Sequence, residues 1–156
     1  MAVIIRLLAV LGFLAGAAAA EMAPREGWFV GVSSKSHADL VTATRAAIKQ
    51  HGLIVVTQAG PTKAAKSRGI DIPGNLVIGA FNNDFAVRVL ALSTPAMIEA
   101  PIRFYVTENA DGTATLSYKM PSAVFAPYVA DARPGLPDIA AELDAKFADI
   151  AATALK

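Results

Sequence analysis

The chain contains no cysteine, which excludes a disulfide framework, a thiolate nucleophile, a thiolate zinc site and a lipidated cysteine anchor. Histidine is nearly as scarce, with only His37 and His51. Charge of one sign is also lacking: 14 Lys plus Arg stand against 13 Asp plus Glu, for a formal charge of +1. So even and scattered a balance lacks the footprint of a nucleic-acid binder, and it offers no polybasic segment for a membrane surface. Beyond the first twenty residues no apolar run is long enough to span a bilayer.

The amino terminus carries one charge, Arg6, then an apolar run over residues 7–14, and then Ala17-Ala18-Ala19-Ala20 before Glu21. That order reads as a secretory signal peptide over residues 1–20, with cleavage after Ala19 or Ala20. The expectation is a single domain over residues 21–156, secreted or periplasmic, with zero formal charge once Arg6 is removed. Without disulfides its stability must come from a hydrophobic core, for which the chain is long enough.

Residues 28–33, with Trp28 and Phe29 leading, have the composition of a first strand. Ser36 stands where an N-cap belongs, with Asp39 three residues on, and Val41, Thr44, Ala47 and Ile48 recur at helical spacing up to His51-Gly52. This predicts a helix over residues 37–50. The run Leu53-Ile54-Val55-Val56-Thr57 predicts a central strand covered on both faces, or on most of one. A short helix begins at Gly60-Pro61-Thr62 and ends at Ser67-Arg68-Gly69, and residues 75–81 read as a third strand. Asn82 or Asn83 caps a helix through Phe85, Val89 and Leu92, and Thr94-Pro95 opens one more turn before Pro101.

Ile102, Phe104 and Val106 alternate with Arg103, Tyr105 and Thr107, the pattern of a strand with one buried face. Turn chemistry at Asn109-Ala110-Asp111-Gly112 joins it to residues 113–120 as a hairpin. A proline-marked stretch then runs to Pro137, and Ile139, Leu143, Phe147, Ile150 and Ala154 mark a final amphipathic helix. The order βαβαβαββα implies an α+β fold, a mainly antiparallel sheet with helices packed on one face.

Several of these pieces resemble the domain of unknown function 302 family (DUF302). They are the strand ending Phe81-Asn82-Asn83, then Ala100-Pro101-Ile102-Arg103-Phe104-Tyr105-Val106, then Asp111-Gly112, then Leu116-Ser117-Tyr118-Lys119-Met120-Pro121, with residues 36–53 similar to the family's first helix and following strand. The chain departs from the family's usual Phe-Gly-Asn-Pro, here Ala80-Phe81-Asn82-Asn83, and from Asp-Leu-Pro, here Glu99-Ala100-Pro101. An Asp-His pair often seen before the short helix is replaced by Ala59-Gly60. The resemblance implies a compact α+β fold, self-association and no established activity.

Candidate chemistry is sparse. Ser33, Ser34, Ser36, His37 and Asp39 contain the residue types of a hydrolytic triad, but neighbours on one turn do not reach triad geometry, and capping accounts for Ser36 and Asp39. His37 and His51 sit at opposite ends of one helix, about 21 Å apart at 1.5 Å per residue, too far to share a metal. Thr62, Lys63, Lys66 and Arg68 form a possible anion-binding group, set against a plain solvated helix face. Asn82, Asn83 and Asp84 read as a helix cap, and Trp28 and Phe29 as sheet packing. Arg103, Tyr105 and Thr107, with Ser117 and Lys119 on the hairpin partner, form a polar sheet face that is hydrated, lines a shallow pocket, or is an interface with a second copy.

No metal or cofactor is expected, and the partners expected are a second copy and a small-molecule ligand. The function expected is that of a non-catalytic ligand-binding or self-assembling module. The alternative is a small periplasmic hydrolase or isomerase using His37 or a carboxylate such as Glu108. Intact-mass measurement of the protein from the cell envelope is expected to show loss of residues 1–20; a mass retaining Met1 would refute export by cleavage.

Overall fold

The computed structural model describes residues 22–156, so the expected signal peptide and its cleavage site lie outside the described residues. Five strands form one sheet, β1 (Trp28–Ser33), β2 (Ile54–Ala59), β3 (Asn75–Phe81), β4 (Ile102–Glu108) and β5 (Ala114–Lys119), in the spatial order β1-β5-β4-β3-β2. Every neighbouring pair is antiparallel. The helices are α1 (His37–Gln50), α2 (Thr62–Lys66), α3 (Asn83–Leu92), α4 (Pro121–Phe125) and α5 (Leu136–Leu155), with 3-10 turns at Pro95–Glu99 and Ala126–Asp131. None of the described helices is long and apolar enough to cross a membrane.

Local chemistry explains most boundaries. Ser36 Oγ accepts from Asp39 N at 3.2 Å, and Asn82 Oδ1 accepts from Asp84 N and Phe85 N at 2.9 and 3.1 Å, so each cap satisfies donors that the first helical turn leaves free. In the β4–β5 turn Asn109 N donates to Thr113 O at 2.8 Å, and Gly112 takes φ 82°, a left-handed conformation that glycine adopts without steric cost.

The core lies between one face of the sheet and the helices α1, α3, α4 and α5. Ile78, Phe104, Val106, Ala114 and Leu116 supply the sheet side, and Leu40 and Ile48 of α1 and Ile139, Leu143, Phe147 and Ile150 of α5 the helical side. Its centre is aromatic. Phe104 stacks on Phe147 with ring centroids 4.5 Å apart, Tyr118 meets both edge-on at 5.2 and 5.4 Å, and Phe29 stacks on Tyr118 at 5.0 Å. Thr44, fully buried on α1, turns its hydroxyl back to Leu40 O at 2.7 Å, so no polar group is stranded there.

One expectation is corrected. β2 is not a central covered strand; it is an edge strand, with Ile54 58% and Val56 45% exposed. An apolar run records that a strand is favoured but not how many neighbours it acquires, and here only β3 pairs with it. The proline-marked stretch after β5 folds as α4 and the second 3-10 turn, with Pro121 and Phe125 buried.

Replacing Phe104 or Phe147 by Ala is expected to cost about 3–5 kcal/mol in urea unfolding, the usual range for a large aromatic deleted from a core. The core also sets a pH limit. Burial, with the charge of Asp144 behind it, pushes the Tyr118 phenol up from 10.0 to about 12. Between those values the unfolded phenol loses its proton and the native one keeps it, so stability falls as pH rises through that window. The expected outcome is a urea midpoint that drops less steeply between pH 10 and 12 in Tyr118→Phe than in the parent.

Candidate functional site

Alternation in the strands leaves the second sheet face without a helical layer. Cross-strand register sets Val30 beside Ser117, Ser117 beside Tyr105, and Tyr105 beside Val77, one row running across four strands. Val32, Thr115, Thr107 and Asn75 form the next row. Val32 is 65% exposed, whereas Ser117, with a short side chain between larger neighbours, is fully buried and its hydroxyl has no partner.

The strand ladders do not end together. β1 pairs with β5 as far as Trp28 with Lys119, and β3 pairs with β4 as far as Ala80 with Ile102. The β4–β5 ladder, however, stops at Phe104 with Tyr118. Near that end of the sheet a cavity of about 300 Å³ lies on the open face. Trp28, Asn75, Val77, Arg103, Tyr105 and Lys119 line it from the open face, and Glu99, Ile102, Tyr118 and Val124 complete the lining. That volume is at the small end of the range for ligand sites.

Its walls combine aromatic surface with positive charge. Lys119 Nζ sits 5.7 Å from the centroid of the Trp28 ring, and the Arg25 guanidinium carbon lies 5.2 Å from the same ring. The Asn75 amide donates to the Tyr105 hydroxyl, which fixes that ring against β3. Glu99 accepts a 2.6 Å hydrogen bond from the Tyr128 hydroxyl, a bond that raises the Tyr128 phenol above its ordinary value. Arg103 and Lys119 are exposed and make no ion pair among the described residues. The arrangement offers two free cations beside a flat apolar wall, the equipment for holding an anionic group and packing what it is attached to.

The expected interface residues Arg103, Tyr105 and Thr107 thus share the open face, and two of them line the cavity. The possible anion-binding group is elsewhere: Lys63, Lys66 and Arg68 are exposed around α2, and the Thr62 hydroxyl donates to Pro73 O at 3.2 Å. Phe29 packs in the aromatic core, but Trp28, its neighbour, faces the cavity. His51, at the far end of α1 from His37, pairs through Nε2 with Thr153 Oγ1 at 2.8 Å.

His37 and Glu108 are brought together at Gly74. The Gly74 N–H donates to Glu108 Oε2, and a Cβ added there would lie 2.5 Å from His37 Cγ, 2.7 Å from its Nδ1 and 3.0 Å from that carboxylate oxygen. His37 Nε2 is buried without a partner. An imidazole beside a carboxylate is a chemically capable pair, yet neither residue lines either cavity described here. The second cavity, about 40 Å³, is walled by Leu53, Phe85, Val89, Phe125 and Phe147 among others and is a gap in apolar packing.

Of the cavity lining, Trp28, Asn75, Val77 and Glu99 are not among the site candidates that the sequence offers. The usable signal was the period of two: Trp28 alternates with core-facing Phe29 as Arg103 alternates with Phe104. What alternation could not show is that residues so far apart along the chain would meet.

Comparison with known proteins agrees with this architecture. No curated protein matches the chain. Among solved structures it is similar to the crystal structure of an uncharacterized conserved protein DUF302 from Bacillus stearothermophilus, at 19% identity and a TM-score of 0.73, over 85% of this chain and 100% of that one. At such identity the likeness concerns the fold. The family described as "Domain of unknown function DUF302" matches residues 30–154, and with most of the chain inside that match, the protein belongs to the DUF302 family.

Proposed function

We propose that the protein is a non-catalytic binding module that takes a small organic ligand in the cleft on the open sheet face where β4–β5 pairing ends. The observation that carries this reading is the cavity of about 300 Å³ into which Trp28, Arg103, Tyr105 and Lys119 converge from three strands. Its polar groups are cations, phenols, an amide and a carboxylate already bonded to Tyr128, a set suited to holding and orienting a ligand. The composition of residues 1–20 supports an exported setting, periplasmic or extracellular.

Trp28 is the single tryptophan of the chain and forms part of the cavity wall, so its emission reports on occupancy. In a screen of small metabolites, true ligands are expected to raise the melting temperature by mass action and to perturb Trp28 emission, with both effects lost in Val77→Phe, which fills the cavity. A broad screen in which no compound moves both signals refutes the proposal.

A second reading, self-association through the open face, is favoured by one observation: Val32, 65% exposed, stands on the same uncovered face as Val30 and Tyr105. A twofold pairing would let one patch serve both copies. Sedimentation over a concentration series tests it, with a dimer expected that weakens in Arg103→Ala/Tyr105→Ala; a single-chain mass at every concentration refutes it.

A further inference from the structure

We infer that the ligand of the cleft is a compact organic anion with a flat apolar body, of the aryl carboxylate class; this rests on the binding reading above. Three features converge on that chemistry. Arg103 on β4 and Lys119 on β5 both line the cavity and have no carboxylate paired with them among the described residues. Glu99, the acidic residue of the lining, already accepts from Tyr128. Two cations against one carboxylate leave the lining with a net positive charge, and an anion placed between the two cations replaces their hydration with charge-assisted hydrogen bonds.

The rest of the lining discriminates among anions. Trp28, Val77, Ile102 and Tyr105 present rings and branched aliphatic groups, so a bare inorganic anion would leave apolar wall in contact with water. An aromatic body covers it, and stacking on Tyr105 adds to burial. A volume of about 300 Å³ accommodates a single ring bearing a short acid. A cationic aromatic ligand is disfavoured, because the Trp28 ring that would attract it already has Lys119 Nζ at 5.7 Å and the Arg25 guanidinium at 5.2 Å.

The test uses four matched probes on the full exported chain, followed by Trp28 emission and by calorimetry: phenylacetate, 2-phenylethanol, 2-phenylethylamine and acetate. Phenylacetate is expected to bind saturably and at least tenfold more tightly than each of the others, with affinity falling as salt rises. Arg103→Gln/Lys119→Gln, two exposed positions whose change leaves the core intact, is expected to weaken phenylacetate at least tenfold and to leave 2-phenylethanol unchanged. If 2-phenylethanol or 2-phenylethylamine binds as well as phenylacetate, the anionic class is overturned while the cleft remains a binding site. Acetate binding as tightly as phenylacetate overturns the aromatic body and leaves the cationic pair as an anion site. If no probe binds and Val77→Phe has no effect on any hit of the wider screen, this inference and the binding reading fall together.

Discussion

The contact of Phe104 on β4 with Phe147 on α5, 4.5 Å between ring centroids, is the interaction on which the other layers rest. It joins the middle of the sheet to the longest helix, and Tyr118 closes the group from β5. Aromatic groups of this kind bury large areas and prefer particular ring geometries, so they determine both how firmly and at what position the helix lies on the strands. Once α5 is seated, Leu143, Ile150 and Ala154 are buried in the core that α1 completes from its own side.

Placing the helical layer on one face has a cost on the other. Antiparallel sheets tolerate an uncovered face when it is polar enough, and here the mixture is Ser117, Thr115, Thr107 and Arg103 with Val30, Val32 and Tyr105 among them. That face is too apolar to be featureless and too polar to be a second core. Its distinctive point is the end where the β4–β5 ladder stops at Phe104 and Tyr118 while the outer ladders continue. Tyr118 therefore belongs to the aromatic core and also lines the cleft.

Electrostatics separates this cleft from other charged places on the surface. Arg88 and Glu142 bridge α3 and α5 through two hydrogen bonds of 2.7 and 2.8 Å, and each partner shifts the other's titration toward the charged form. Asp111 is held below the usual carboxylate range by its hydrogen bonds from Thr113 within the hairpin turn. Those charges are spent on structure. Arg103 and Lys119 have no such partner among the described residues, and they stand next to aromatic surface.

Local chemistry in the sequence determined the elements: the Ser36 and Asn82 caps, the Gly112 turn, the alternation of β4 and the stripe of Ile139, Leu143, Phe147 and Ile150 each act within a few residues, so they are legible without a structure. It also determined that Arg103, Tyr105 and Thr107 share a face, because a strand's period is two. The order of the strands was decided only by tertiary structure, and with it the edge position of β2, whose apolar run looks the same whether one neighbour or two will pair with it. The cleft belongs to that second category, since Trp28, Val77, Arg103 and Lys119 meet through register between strands distant in the chain, and register is fixed by the packing of the whole sheet against its helices.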